Sequence, residues 1–342
     1  MASALPKTFK AVTAQDTEGT LQVKDVPLNE PQQGELVIKV LACGVCHGDH
    51  DIINGAIGPL SKKDLIPGHE VVGTIVAVGP NETRWKMGDR VGCGWHSGHD
   101  GTCKSCQRGY FQCCENQVIN GVTKDGGYAE YCTIRTEAAV RIPEGMDSAE
   151  AAPFLCAGVT VFNGIRQMGI MANGLVAIQG LGGLGHLAVQ YSRKMGYRTV
   201  ALSRGSEKKE MALQLGATDY LDASEGDAGE ALQKMGGADL IVATAPNAAI
   251  VPGLIKGLGL RGKLLILAGV GEMTINAFPL LFKGQSIHGW PSGHALDSEE
   301  ALQFAQVQGV KCLVEIFPLE KAKEAMEHMI THKVRFRAVL AP

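Results

Sequence analysis

Residues 175–196 read "LVAIQGLGGLGHLAVQYSRKMG". A short apolar run ends in a glycine loop, and the loop leads into a segment with helical spacing. Gly180, Gly182 and Gly185 satisfy G-x-G-x-x-G, with Gly183 and Leu184 completing the turn. The first glycine permits a tight turn, the second lets the backbone approach a pyrophosphate, and the third lets helix and strand pack closely. A helix opening there offers free N–H groups and its positive dipole end to the anion. In a chain with 44 glycines the motif alone would say little. Its place between a strand and a helix is what marks a dinucleotide site.

The neighbouring sequence repeats this pattern. From about 153 to 290, "RTVALS", "ADLIVATA" and "GKLLILAG" alternate with helical stretches such as "SEKKEMALQLG" and "NAAIVPGLIKGLG". Short buried runs separated by helices predict βαβ units and a doubly wound parallel sheet, an α/β fold. The strand after the glycine loop bears on the choice of nicotinamide. An NAD binder normally ends it with Asp or Glu, which accepts from the ribose 2′-hydroxyl. Here "TVALSRGSEKK" puts Ser203 at that place, followed by Arg204, Ser206 and Lys208. Serine and arginine suit a 2′-phosphate that a carboxylate would repel, so NADP(H) is favoured and NAD(H) stays possible.

Residues 1 to about 150 look different. Short β-rich runs such as "GELVIKVLAC" and "GTIVAVG" are separated by long loops. Seven of the ten cysteines and five of the ten histidines lie between Cys43 and Cys114. In a reducing compartment such clustering points to metal rather than disulfides. Cys93, Cys132 and Cys312 are read instead as small buried hydrophobes. In "CGVCHGDHD" (43–51), "PGHEVVG" (67–73) and "FLCAGVT" (154–160), Cys46, His69 and Cys156 each sit in a glycine-flanked loop. Two Cys and one His with an open fourth position suit a catalytic Zn²⁺.

Other classes fare worse. A chain of 342 residues with formal charge −3 and 45% hydrophobic residues lacks the basic balance of a nucleic-acid binder. No run of about 18 apolar residues suggests a membrane span, so no membrane partner is expected. The stretch "MASALPKTFKAV" lacks a secretory or transit signal, so a cytoplasmic location is expected.

In "GVCH", "PGHEVVGTIVAVG", "GDRV", "GGYAEY", "LCAGVTV" and "GLGGLGHLAVQ", taken in order, the chain resembles the zinc-dependent alcohol dehydrogenases of the medium-chain dehydrogenase/reductase superfamily. The likeness runs along the whole length and is nearest the yeast-type and cinnamyl-alcohol-type branches. It implies a β-rich GroES-like catalytic domain of residues 1–152 and 291–342, and a Rossmann domain of residues 153–290. The implied reaction interconverts small-molecule alcohols and aldehydes or ketones, with hydride passing to or from the nicotinamide. Relatives are homodimers or homotetramers.

Carried over by position, Cys46, His69 and Cys156 match the catalytic zinc ligands, and Glu70 matches a carboxylate that can approach the metal. Cys43 matches no ligand. Asp49 matches the acid that orients the ligand histidine. His47 and Arg337 match contacts to the cofactor phosphates, Thr160 lies by the nicotinamide, and Val270 joins the cofactor contacts. Trp95 matches a wall of the substrate pocket. The residue two after the ligand cysteine is usually Ser or Thr, which passes the alcohol proton outward; here it is Gly48. The far end of that relay, commonly His, is Asp51 with His50 beside it. A catalytically weakened relative acting as sensor or scaffold is the alternative that Gly48 keeps open.

The family's second, structural zinc uses C-x₂-C-x₂-C-x₇-C. In "GWHSGHDGTCKSCQRGYFQCCEN" (94–116) those positions are Asp100, Cys103, Cys106 and Cys114. A carboxylate oxygen is an acceptable Zn²⁺ ligand. His99 is a possible substitute ligand, and Cys113 is one residue out of register.

Overall fold

The computed structural model describes residues 5–342, so the first four residues of the N-terminal stretch read above lie outside it. The chain forms two compact units. One runs to Cys156 and takes in Gly293–Gln306 and Cys312–Pro342; the other is Ala157–Ser292 with Val307–Lys311.

In the second unit the apolar run becomes strand β1 (Leu175–Gln179), buried at all five positions, and the glycine loop leads into the helix Gly185–Lys194. Five more strands follow: β2 (Arg198–Ser203), β3 (Asp219–Asp222), β4 (Ala238–Ala243), β5 (Leu258–Ile266) and β6 (Ser286–Gly289). All pairings are parallel, in the order β3-β2-β1-β4-β5-β6. Strand order reverses between β1 and β4, and ligands of such sheets bind outside the carboxyl ends of the strands at that point. Ala177, Val200, Ile241 and Leu264 belong to the core on this sheet. The segment "NAAIVPGLIKGLG" yields only a short helix, Val251–Leu254, continued by one 3₁₀ turn, Ile255–Gly257.

The first unit is built around the strand Glu35–Val45. It pairs antiparallel with Val71–Val78, Tyr131–Arg135 and Arg337–Ala341. The sheet extends through Arg90–Cys93 to Val140–Arg141 on one side and to Val314–Pro318 on the other. Leu36, Ile38, Ile75, Ile134 and Leu340 pack in its core. The register places the chemistry. Cys43 lies opposite Val71 and also opposite Leu340. The segments carrying Cys46, His69 and Arg337 therefore reach the same end of one sheet. Among the described residues no helix is long and apolar enough to cross a membrane.

Candidate active site and metal centres

The strand Glu35–Val45 passes directly into Cys46, the N-cap of the helix His47–Ile53. The Cys46 amide donates to Asp49 Oδ2 at 2.9 Å, and the Tyr128 hydroxyl donates to the same oxygen at 3.0 Å. The other carboxylate oxygen of Asp49 lies 2.8 Å from His69 Nδ1. Both Asp49 and His69 are fully buried. The second imidazole nitrogen, Nε2, is buried without a hydrogen-bond partner.

Cys156, after the 3₁₀ turn Ala152–Leu155, brings its sulfur to 3.9 Å from that of Cys46. The Cys156 thiol draws Cys46 well below the ordinary thiol range, against the opposing effect of burial. Donor atoms of Cys46, His69, Glu70 and Cys156 all lie within 4.8 Å of one another. Two soft sulfurs and an unpaired imidazole nitrogen fit a Zn²⁺ ion.

Glu70 is fully buried and ion-paired with Arg337, itself almost wholly buried. Burial pushes the Glu70 carboxyl up to about 7, against the pull of Arg337. Sequence comparison set Arg337 beside the cofactor phosphates. In the structure its guanidinium pairs with Glu70 through one terminal nitrogen, while Nε is buried without a hydrogen-bond partner. Gly44 completes the packing, because a Cβ there would strike the Glu70 carboxylate. Neither the Glu70–Arg337 pair nor the Tyr128 hydroxyl was found from sequence; the only signal was that Tyr128 lies in "GGYAEY".

Trp95 meets His69 edge-on, with ring centroids 4.9 Å apart. A Cβ at Gly48 would lie 3.3 Å from His69 Cε1 and 3.4 Å from Trp95. His47 is exposed. His50 Nδ1, itself buried, and Asp51 Oδ1 are 3.6 Å apart, and the two side chains are partly exposed.

Asp100, Cys103, Cys106 and Cys114 also bring their donor atoms within 4.8 Å of one another. The amides of Thr102 and Cys103 donate to Asp100 Oδ1 at 2.7 and 3.0 Å, and the Asn116 amide donates to Oδ2 at 2.7 Å. These donors, Cys103 first, hold the Asp100 carboxyl well below the usual carboxylate range. A charged carboxylate with three thiols is a donor set that fits Zn²⁺. The expectation for His99 is corrected: its ring stacks on Phe111 at 4.2 Å and its Nδ1 is 3.1 Å from His96 Nε2, outside the cluster. Cys113 is exposed and also outside it. Cys43, Cys93, Cys132 and Cys312 are buried free thiols.

In the second unit, Gly180 has φ +90° and Gly182 faces open space, while a Cβ on Gly185 would strike the Gly180 carbonyl. Gly183 and Leu184 lie between them, ahead of the helix. Ser203 ends β2 opposite Asp222, whose Oδ1 is occupied by the Gly205 amide at 2.8 Å and by Ser224. Arg204 is exposed, and Lys208 reaches the Leu181 carbonyl of the glycine loop at 3.4 Å. Thr160 is buried in the helix Ala157–Gln167, and Val270 packs at the edge of the sheet core.

Comparison with known proteins agrees with this geometry. The family model of the alcohol dehydrogenase GroES-like domain matches residues 32–144, and that of zinc-binding dehydrogenase matches residues 183–307. The alcohol dehydrogenase patD of Penicillium expansum is 54% identical over 99% of each chain. A cinnamyl alcohol dehydrogenase of Sorghum bicolor superposes with TM-score 0.89 at 29% identity, over 98% of both chains. An acetophenone reductase of Geotrichum candidum, solved in complex with NAD, superposes with TM-score 0.87 at 26% identity over 99% of both.

Proposed function

We propose a mechanism from one premise: the chain belongs to the zinc-type alcohol dehydrogenases of the medium-chain dehydrogenase/reductase superfamily. It is an oxidoreductase of small-molecule alcohols or aldehydes that uses a nicotinamide cofactor. In our reading Cys46, His69 and Cys156 hold the catalytic Zn²⁺, and NADP(H) is the preferred nicotinamide. The observation that carries the zinc assignment is the convergence of two thiols on a buried, unpartnered imidazole nitrogen. Residues 1–152 and 291–342 are taken as the zinc-binding domain and 153–290 as the dinucleotide-binding domain.

When bound, zinc supplies polarisation of the substrate oxygen, and the nicotinamide supplies or accepts the hydride. The protein's part is to orient and to move a proton. Asp49 holds the His69 ring with Nε2 toward the thiols. Arg337 keeps the Glu70 carboxylate paired at the edge of the donor set. Trp95 shields one side of the site from water. Gly48 has no hydroxyl, so the proton passes through water to the half-exposed His50–Asp51 pair. Asp100, Cys103, Cys106 and Cys114 hold a closed zinc site that fixes their loop.

Ser203 at the end of β2, Arg204 beside it and Lys208 against the glycine loop support a bound 2′-phosphate. The acid across from Ser203, Asp222, is already occupied by loop donors. The second reading, NAD(H), draws on the acetophenone reductase seen with NAD. Phe278, Leu281 and Phe282 are 67%, 75% and 76% exposed on the helix Phe278–Lys283, and this supports a homodimer or homotetramer.

The test is absorbance at 340 nm with zinc-loaded protein, a panel of aliphatic and aromatic aldehydes, and NADPH and NADH in parallel. Oxidation of NADPH well ahead of NADH, abolished by a zinc chelator, is the expected result. A preference for NADH overturns the reading of Ser203 and Arg204 and leaves the enzyme class intact. Turnover that persists after catalytic zinc is stripped overturns the ligand assignment.

A further inference from the structure

The segment Gly126–Tyr128, from the motif "GGYAEY", has no part in the mechanism above. Its backbone is fastened to the residues that deliver His69. Gly126 N donates to Ile66 O at 2.7 Å, Gly127 N to Gly68 O at 3.0 Å, and Tyr128 N to Pro67 O at 3.0 Å. Gly68 has φ +101°, and a Cβ there would strike the Tyr128 ring. The ring therefore lies directly against the backbone that precedes His69. Tyr128 is fully buried, and its hydroxyl meets one neighbour of consequence, Asp49 Oδ2 at 3.0 Å.

Asp49 is thus held from two sides. Oδ2 takes the Tyr128 hydroxyl and the Cys46 amide, which leaves Oδ1 to His69 Nδ1 at 2.8 Å. Turning the carboxylate would break both donors on Oδ2 at once. In a dry site, unmade hydrogen bonds to a charged group are costly. Two motifs distant in sequence, "PGHEVVG" and "GGYAEY", therefore meet on a single carboxylate.

We propose that Tyr128 is a positioning residue for the catalytic metal site: its hydroxyl fixes the Asp49 carboxylate, which aims His69 Nε2 at the thiols of Cys46 and Cys156. This rests on the reading of those three residues as the ligand set. Losing an outer partner of a metal-bound histidine typically costs 10–100-fold in metal affinity. Tyr128 acts one residue further out, so the low end of that range, about tenfold, is expected.

Tyr128→Phe keeps the ring and removes only the donor. Zinc release into a chromophoric chelator is followed in a Cys103→Ser background, where the Asp100–Cys103–Cys106–Cys114 site, the lobe site, is disabled. The expected result is release from the catalytic site about tenfold faster in Tyr128→Phe. In an Asp49→Ala background the same substitution should add nothing, because the acceptor is gone. Unchanged release in Tyr128→Phe overturns the inference, as does a tenfold effect that persists without Asp49. If Asp49→Ala does not fold, the lobe site of the otherwise unaltered protein serves instead. Faster release from both sites alike then means general loosening and overturns the proposal, whereas faster release from the catalytic site alone supports it. If the Cys103→Ser protein holds no zinc at all, the ligand reading falls and this inference falls with it.

Discussion

A methyl group placed at position 48 would sit 3.3 Å from His69 Cε1 and 3.4 Å from Trp95, so a serine there needs its neighbours to yield by a few tenths of an ångström. That is a small adjustment for a hydroxyl beside the reacting oxygen. Gly48→Ser should raise kcat for oxidation of a primary alcohol by roughly tenfold or more, since general acid–base help is typically worth 10²–10⁴-fold. It should also raise KM for bulky aromatic substrates, which compete for the same space. Steady-state kinetics on both substrate classes read the two effects; an unchanged kcat would mean that the water route is not limiting. Ser203→Asp addresses the cofactor in the same way. A carboxylate at the end of β2 repels a 2′-phosphate and accepts from a free 2′-hydroxyl. With hydrogen bonds to charged groups worth about 1.5–3 kcal/mol, the NADPH-to-NADH ratio of kcat/KM should fall about 10–100-fold. A ratio that does not move would show that Arg204 and Lys208 select the cofactor without Ser203. Residue identities of this kind were open in the sequence, because each donor type carries its own chemistry. The ion pair of Arg337 with Glu70 was not, because it depends on which end of a sheet an antiparallel register presents.

The glycine loop was legible as an element because each glycine has a separate steric task. Gly180 adopts φ +90°, Gly182 faces open space, and Gly185 abuts the Gly180 carbonyl. Strands β3 and β6 were missed for the opposite reason. "DYLD" and "SIHG" lie at the two edges of the sheet, are only half-buried, and so lack the continuous apolar run that marked β1, β2, β4 and β5. The cysteine lobe stands between these cases. Its spacing pointed to a metal site, yet the three hydrogen bonds that Asp100 accepts depend on the folded loop. Asp100 therefore both closes the donor set and ties the turn together. Asp100→Ala should lose one zinc per chain on dialysis against a mild chelator, and its Tm should fall roughly 2–8 °C at about 2–4 °C per kcal/mol. Metal analysis and a thermal melt report both. Retention of that zinc would show that three thiols suffice.

For the molecule as a whole, the exposed helix Phe278–Lys283 presents stacked Phe278 and Phe282 rings, 6.0 Å apart, with Leu281 beside them. On the proposed dimer or tetramer, Phe282→Glu should shift the mass toward monomer in light scattering, while leaving the fold unchanged by circular dichroism. An unchanged mass would remove this helix from the interface. The two-unit plan was readable from the change between short β-rich runs and the later alternation of strand and helix patterns. The return of residues 307–311 to the second unit was not, because a short segment carries no periodicity of its own. The strand Arg337–Ala341 lies between Val314–Pro318 and Glu35–Val45 in the first sheet. On a ribosome, the N-terminal half of that sheet is made early yet must wait for residues 337–341 before its strand neighbours are all present. The nucleotide-binding unit has every residue it needs by position 311. Biosynthesis thus reverses the usual N-to-C order of domain completion: the middle of the chain can mature first, and the sheet that carries Cys46 gains its last strand at the end.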